Sequence, residues 1–173
     1  MSIDLNWITA RLESNTAVLR GQLSSVSAAQ AVWKPQADKW SILEVINHLA
    51  EEETEDFRIR LQLTLEDPAQ EWPAIDPERA AVDRQYNARN LQDSVDRFIR
   101  ERARSVEWLR SLPAETDWHV GRTHPRAGVL RAGDLLCSWL AHDLIHIRQI
   151  NRLHYEYLTA TCGDFSTAYA GNW

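Results

Sequence analysis

The chain has 173 residues, 44% apolar and 25% charged, which predicts one globular domain over residues 1–173, large enough to bury its own core. Its formal charge of −6 argues against broad nucleic-acid binding, which needs an excess of Lys and Arg to neutralise phosphates. No segment approaches the roughly 18 consecutive apolar residues of a membrane span, and the opening MSIDLNWITARLE is acidic and polar where an export signal needs an apolar run, so a cytoplasmic location is expected.

Leu5, Ile8, Leu12, Leu19, Leu23 and Val26 recur every three or four residues and predict a long first helix. Ser27 with Gln30 is a weak capping signal for a short helix ending near Trp33, and Pro35, Asp38 and Lys39 then make a turn. Ser41 followed by Glu44 is a better capping box, opening a second helix with Ile42, Val45, Ile46, Leu49, Phe57 and Leu61 on its apolar stripe. That pattern fades near Asp67-Pro68. Asp76-Pro77-Glu78 has the cap, proline and early acid of a helix start. The strong pattern of the third helix is Leu91, Val95, Phe98, Ile99, Val106, Leu109 and Leu112, ended by Pro113. A polar loop from Trp118 to Gly128 leads to a fourth helix over about residues 133–157. With no alternating strand, the fold class is all-α, a four-helix bundle. The long connection between helices two and three suits a crossover, with those two helices parallel. Phe165, Tyr169 and Trp173 in the tail are expected to pack on the bundle or on a second subunit.

The fourth helix carries the chemistry. At 100° per residue, Leu135, Trp139, His142, His146, Ile150 and Leu153 fall within an arc of about 80°, so both histidines share the inward stripe. A buried imidazole needs a partner, and two of them at i and i+4, with Cβ atoms about 6 Å apart, are able to converge on one ion. His48 on the second helix, at the flank of its stripe, is the candidate third ligand, and Glu52 lies one turn further on. The plainer alternative is a core in which these rings only hydrogen-bond. His142-Asp143-Leu144-Ile145-His146 approaches the H-E-x-x-H pattern of zinc proteases, but Asp143 is one methylene shorter than the glutamate base and no third ligand follows. His119 and His124 read as surface residues, and His154 as off the inner face. Cys137 reads as a packing residue, and it and Cys162 as reduced thiols. Arg97, Arg100 and Arg104, among neighbouring acids, read as a solvated ion-paired face.

KWSILEVINHLAEEE at Lys39–Glu53, HPRAGVLRAGDLL at His124–Leu136 and AHDLIHIRQI at Ala141–Ile150, taken in this order, resemble the motifs of the DinB-like superfamily. The resemblance covers essentially the whole chain. It implies a four-helix bundle with a long crossover between helices two and three, often a homodimer, and a divalent-metal site whose ligands here are His48, His142 and His146. Arg131 departs from the small hydroxyl residue common before the fourth helix, which bears on how that helix is capped.

Three neutral histidines leave a coordination position open, the arrangement of a catalytic site. The expected function is therefore a metal-dependent enzyme acting on a small molecule: a hydrolase, or a transferase or isomerase using a low-molecular-weight thiol, as some relatives do. Glu52 is the candidate general base or partner of a ligand, unless it is merely exposed. Zinc and nickel suit the imidazoles best, with manganese or iron as alternatives. The competing expectation is a non-catalytic bundle that binds a small ligand or a partner.

Overall fold

The computed structural model describes residues 3–124 and 128–171; Trp173, and Pro125, Arg126 and Ala127 of the second motif, lie outside them. Helix α1 (Leu5–Leu23) starts where the Asp4 carboxylate accepts the Trp7 N–H, and α2 (Ala28–Val32) where Ser27 accepts that of Gln30. The Ser41–Glu44 capping box is complete: the Ser41 N–H donates to Glu44 at 2.8 Å, and the Glu44 N–H to Ser41 at 3.1 Å. It opens α3 (Ile42–Glu51), every residue of which is buried.

The second helix runs on as expected, but through a π-helical turn at Glu52–Asp56 before α4 (Phe57–Glu66). Such turns widen a helix by one residue and re-aim the side chains around them. Asp76 and Pro77 do start a helix, α5, but it is short and separate (Pro77–Asp83). Gln85 then adopts φ 50, which non-glycine residues rarely do, and a 3₁₀ turn at Tyr86–Ala88 precedes α6 (Leu91–Ser111), capped by Asn90.

The expected polar loop contains a small hairpin, β1 (Gly121–His124) against β2 (Gly128–Arg131), antiparallel with Gly121 opposite Arg131. A Cβ at Gly121 would sit 2.7 Å from the Leu130 carbonyl oxygen, so the close pairing requires glycine there. The strands are short and only partly buried, so they show no alternating pattern in sequence. In α7 (Ala132–Thr161) Asp134 takes the capping role: its carboxylate accepts the Arg131 N–H at 3.0 Å and the Arg131 guanidinium at 2.9 Å. Arg131 is therefore compatible with the helix start.

Partner order gives the helix directions. Asn47 bonds Ser94, Glu53 bonds Arg102 and Arg58 bonds Ser105, so α3–α4 runs parallel to α6 and the intervening chain is the crossover. Asn15 bonds Asp143 and Gln22 bonds Asn151, so α1 runs parallel to α7. The four long helical stretches enclose two apolar clusters. Leu19, Ile46, Leu49, Phe98 and Ile150 belong to one; Leu12, Phe57, Leu61, Val106 and Trp139 belong to the other. Between them lies a buried polar layer of Asn15, Glu53, Arg102 and Asp143.

Two packing expectations are corrected. Cys137 is exposed, because its position on α7 turns away from the inward stripe; it and Cys162 are free thiols. Phe165 and Tyr169 are exposed at 84% and 104%, so of the two places expected for them these side chains do not take the bundle, which the tail touches through Thr167, 3.4 Å from the Tyr155 hydroxyl.

Candidate metal centre

His48 comes from α3, and His142 and His146 from the facing stripe of α7. The Nε2 atom of His142 lies 3.2 Å from that of His48 and 3.0 Å from that of His146. The three rings form a cluster whose ligand atoms are within 4.8 Å of one another, and His48 and His146 are buried.

Proton counting tests whether the cluster suits a cation. The side-chain oxygen of Gln149, one turn beyond His146, accepts from His146 Nδ1 at 2.7 Å. The neutral His146 ring therefore has a bare lone pair at Nε2. His142 has one Nε2 facing two neighbours, and one proton there is able to point at only one of them. A cation satisfies all three nitrogens together. At metal–nitrogen distances of about 2.1 Å, ligand nitrogens are about 3.0 Å apart at right angles and about 3.4 Å apart in a tetrahedron. The observed separations fall in that interval. The donor set and its spacing therefore fit a divalent ion on three imidazoles.

The cluster borders a cleft of about 670 Å³, whose other walls are Trp40, Glu52, Asp56, Phe57 and the crossover residues Ile75, Asp76, Pro77 and Glu78. Trp40 packs edge-on against His48 at 4.9 Å, and Phe57 lies 5.2 Å from His142. Glu52 is buried, not exposed, with Oε1 3.4 Å from His48 Nδ1. Burial, helped by the adjacent Asp56 carboxyl, pushes Glu52 up to about 9. Asp56 is in turn held by Arg60 at 2.8 Å.

A model of the DinB superfamily matches residues 11–150. The chain belongs to the DinB superfamily. No curated protein matches it. Among solved structures, this DinB protein is similar to YfiT from Bacillus subtilis, described as a probable metal-dependent hydrolase with an unusual four-helix bundle topology. The TM-score is 0.79, with 19% identity over 90% of each chain. At that identity the likeness carries the fold.

Other sequence candidates fall elsewhere in this DinB bundle. His119 is exposed beside Trp118 and Asp134, His124 lies 5.9 Å from Trp72, and His154 bonds Gln30 at 2.9 Å. Asp143 does not take the place of a protease base. It points away from the cluster into the polar layer, where Arg102 holds both its oxygens at 2.7 Å. Gln149 and Asp56 escaped the sequence reading. A polar residue one turn from His146 is the signal for the first, whereas the second is hidden in a run of acids.

Burial holds His48 down at about 2 and His142 at about 3, and lowers His146 as well. These folded values lie below the ordinary value of about 6.5. The metal-free folded state thus binds fewer protons than the unfolded state once pH drops below about 6.5. Stability is full above that pH and is lost as the solution is acidified. At pH 5 the loss is about 2 kcal/mol for each of His48 and His142. Thermal melts in chelator at pH 7 and pH 5 should show a drop for the wild type that is smaller in His48→Gln by roughly 4–8 °C. Equal drops in both proteins would refute this.

Proposed function

We propose that this protein is a metal-dependent hydrolase in which His48, His142 and His146 hold one divalent ion at the wall of the cleft. The convergence of the three Nε2 atoms beside an accessible cleft is the observation that carries the reading. Zinc or nickel suits the imidazole set, with manganese and iron as alternatives. Such an ion supplies Lewis acidity, polarising a carbonyl and making water a stronger acid.

The chain's own residues then have distinct tasks. Gln149 fixes the His146 tautomer so that Nε2 is the free donor. Trp40 and Phe57 shield the rings from bulk water. Glu52, in the same cleft, is held protonated by burial and Asp56 while the site is empty; the charge of a bound cation would oppose that and free the carboxylate to act as general base, taking the proton from the attacking water and passing it to the leaving group. The lining holds Glu52, Asp56, Asp76 and Glu78 and no described Arg or Lys, which favours neutral or cationic small molecules. Transfer to a low-molecular-weight thiol is the competing chemistry for the same ion.

Elemental analysis of untagged protein tests the site. Near one equivalent of metal is expected in wild type and only traces in His48→Ala and His146→Ala. Glu52→Gln should retain the metal but lose about 10²–10⁴-fold in turnover of neutral or cationic esters and amides. Absence of metal, with none taken up on addition, would sink the proposal. Metal with thiol transfer but no hydrolysis would redirect it to the competing chemistry, and metal with neither would leave a binding protein.

We also read Trp7 and Val18 on α1, with Leu144 and Ile145 on α7, as the surface through which two copies pair. Sedimentation should give a dimer that Leu144→Glu dissociates; a monomeric wild type would refute the pairing. A cytoplasmic location goes with this reading.

A further inference from the structure

The polar layer between the two apolar clusters is an expensive structure for a bundle to keep. Arg102 is 2% exposed, Asp143 0% and Glu53 1%. Replacing such buried ions by apolar side chains is often neutral or stabilising, so stability alone does not account for them. Their connections point to another role. The Arg102 guanidinium donates to both oxygens of Asp143 on α7 at 2.7 Å, to Glu53 in the π-turn at 2.7 Å, and to the Leu12 carbonyl oxygen on α1 at 3.0 Å. Asn15 of α1 donates to Asp143 at 3.1 Å, and the Trp139 indole of α7 to Glu53 at 2.8 Å. One side chain of α6 thereby ties down the other three helical stretches.

These anchor points sit beside the three-histidine cluster. Asp143 follows His142 directly and precedes His146 by less than one turn, while Glu53 follows Glu52 in the turn beyond His48. Adjacent residues project about 100° apart around a helix. Fixing Asp143 on the core side therefore fixes the direction in which the His142 ring leaves α7. A side chain about 6 Å from the axis moves about 1 Å when its helix turns by 10°, whereas metal–ligand distances tolerate about 0.2 Å. A fork that accepts no other rotation of α7 supplies that precision.

We propose that Arg102, acting through Asp143 and Glu53, is a positioning residue for the metal centre, setting the rotation of α7 and of the α3 π-turn so that the three imidazoles converge. The inference rests on the three-histidine reading above. Zinc affinity and the visible spectrum of the cobalt-substituted protein are its readouts, with no substrate required.

The first variant is Asp143→Asn, which keeps the shape and leaves Arg102 paired with Glu53. The second is the triple variant Glu53→Gln, Arg102→Met, Asp143→Asn, which carries no buried charge in the layer and keeps the proposal testable should the first fail to fold. With helical content retained, each folded variant should bind zinc about 10–100-fold more weakly than wild type, and its cobalt spectrum should shift. Wild-type affinity and an unchanged spectrum in a folded variant would overturn the positioning role. A wild type that takes up neither zinc nor cobalt would instead overturn the three-histidine reading, a result distinguishable because no variant enters it.

Discussion

Arg102→Ala should lower the free energy of unfolding by roughly 3–5 kcal/mol, because it strips a buried counter-ion from two carboxyl groups at once. Asp143 would lose both of its bonds at 2.7 Å and keep only Asn15, and Glu53 would keep only the Trp139 indole. The layer has no solvent to take over, since both acids are at most 1% exposed. Urea unfolding should show the midpoint falling with an unchanged slope, the sign of lost native stability rather than an altered denatured state. The triple variant that neutralises the layer should recover most of the loss, because it leaves no orphaned charge. An Arg102→Ala protein within about 1 kcal/mol of wild type would mean that water enters the layer, contrary to its burial.

Metal should be the second large lever on stability. An ion that binds only the folded state adds RT ln(1 + [L]/Kd), about 2.7 kcal/mol at a hundredfold excess over Kd. For a chain of this length that is a rise of about 5–11 °C in melting temperature. The rise should reverse with chelator and be absent in His146→Ala. A cluster whose rings are satisfied by hydrogen bonds alone predicts no response to any divalent ion, so a flat melting curve across added zinc, nickel, manganese and iron would rule out the site.

The legible parts of this protein were those written locally. The Ser41–Glu44 capping box closes within one helical turn, and His142 and His146 share a stripe that the 100° rule places inward. The crossover followed from a connection too long for a hairpin between helices. Its place beside the apolar stripe of the second helix made His48 the candidate third ligand, the DinB motifs strengthened that expectation, and the structure brings the three rings together. What escaped depends on partners distant in sequence. Nothing near Arg102 says that Glu53 and Asp143, 49 and 41 residues away, are its counter-ions. The π-turn is invisible because Glu52–Asp56 reads as ordinary amphipathic helix. The break between α5 and α6 turns on Gln85, a residue with no local preference for the left-handed region.

Ile75, Asp76, Pro77 and Glu78 belong to the crossover, while the rest of the cleft is walled by bundle helices and by Trp40 just before α3. Polar attachments hang this crossover on the bundle: Arg60 to the Pro73 carbonyl oxygen, the Trp72 indole to Thr64, and Arg84 to Glu51 and Glu55. The shape of the opening and the integrity of the scaffold are thus encoded in different stretches of chain. Insertions or exchanges between Asp67 and Asp76 are free to remodel what enters without disturbing the helices that carry the histidines. A lineage diversifying its substrates would be expected to vary there first.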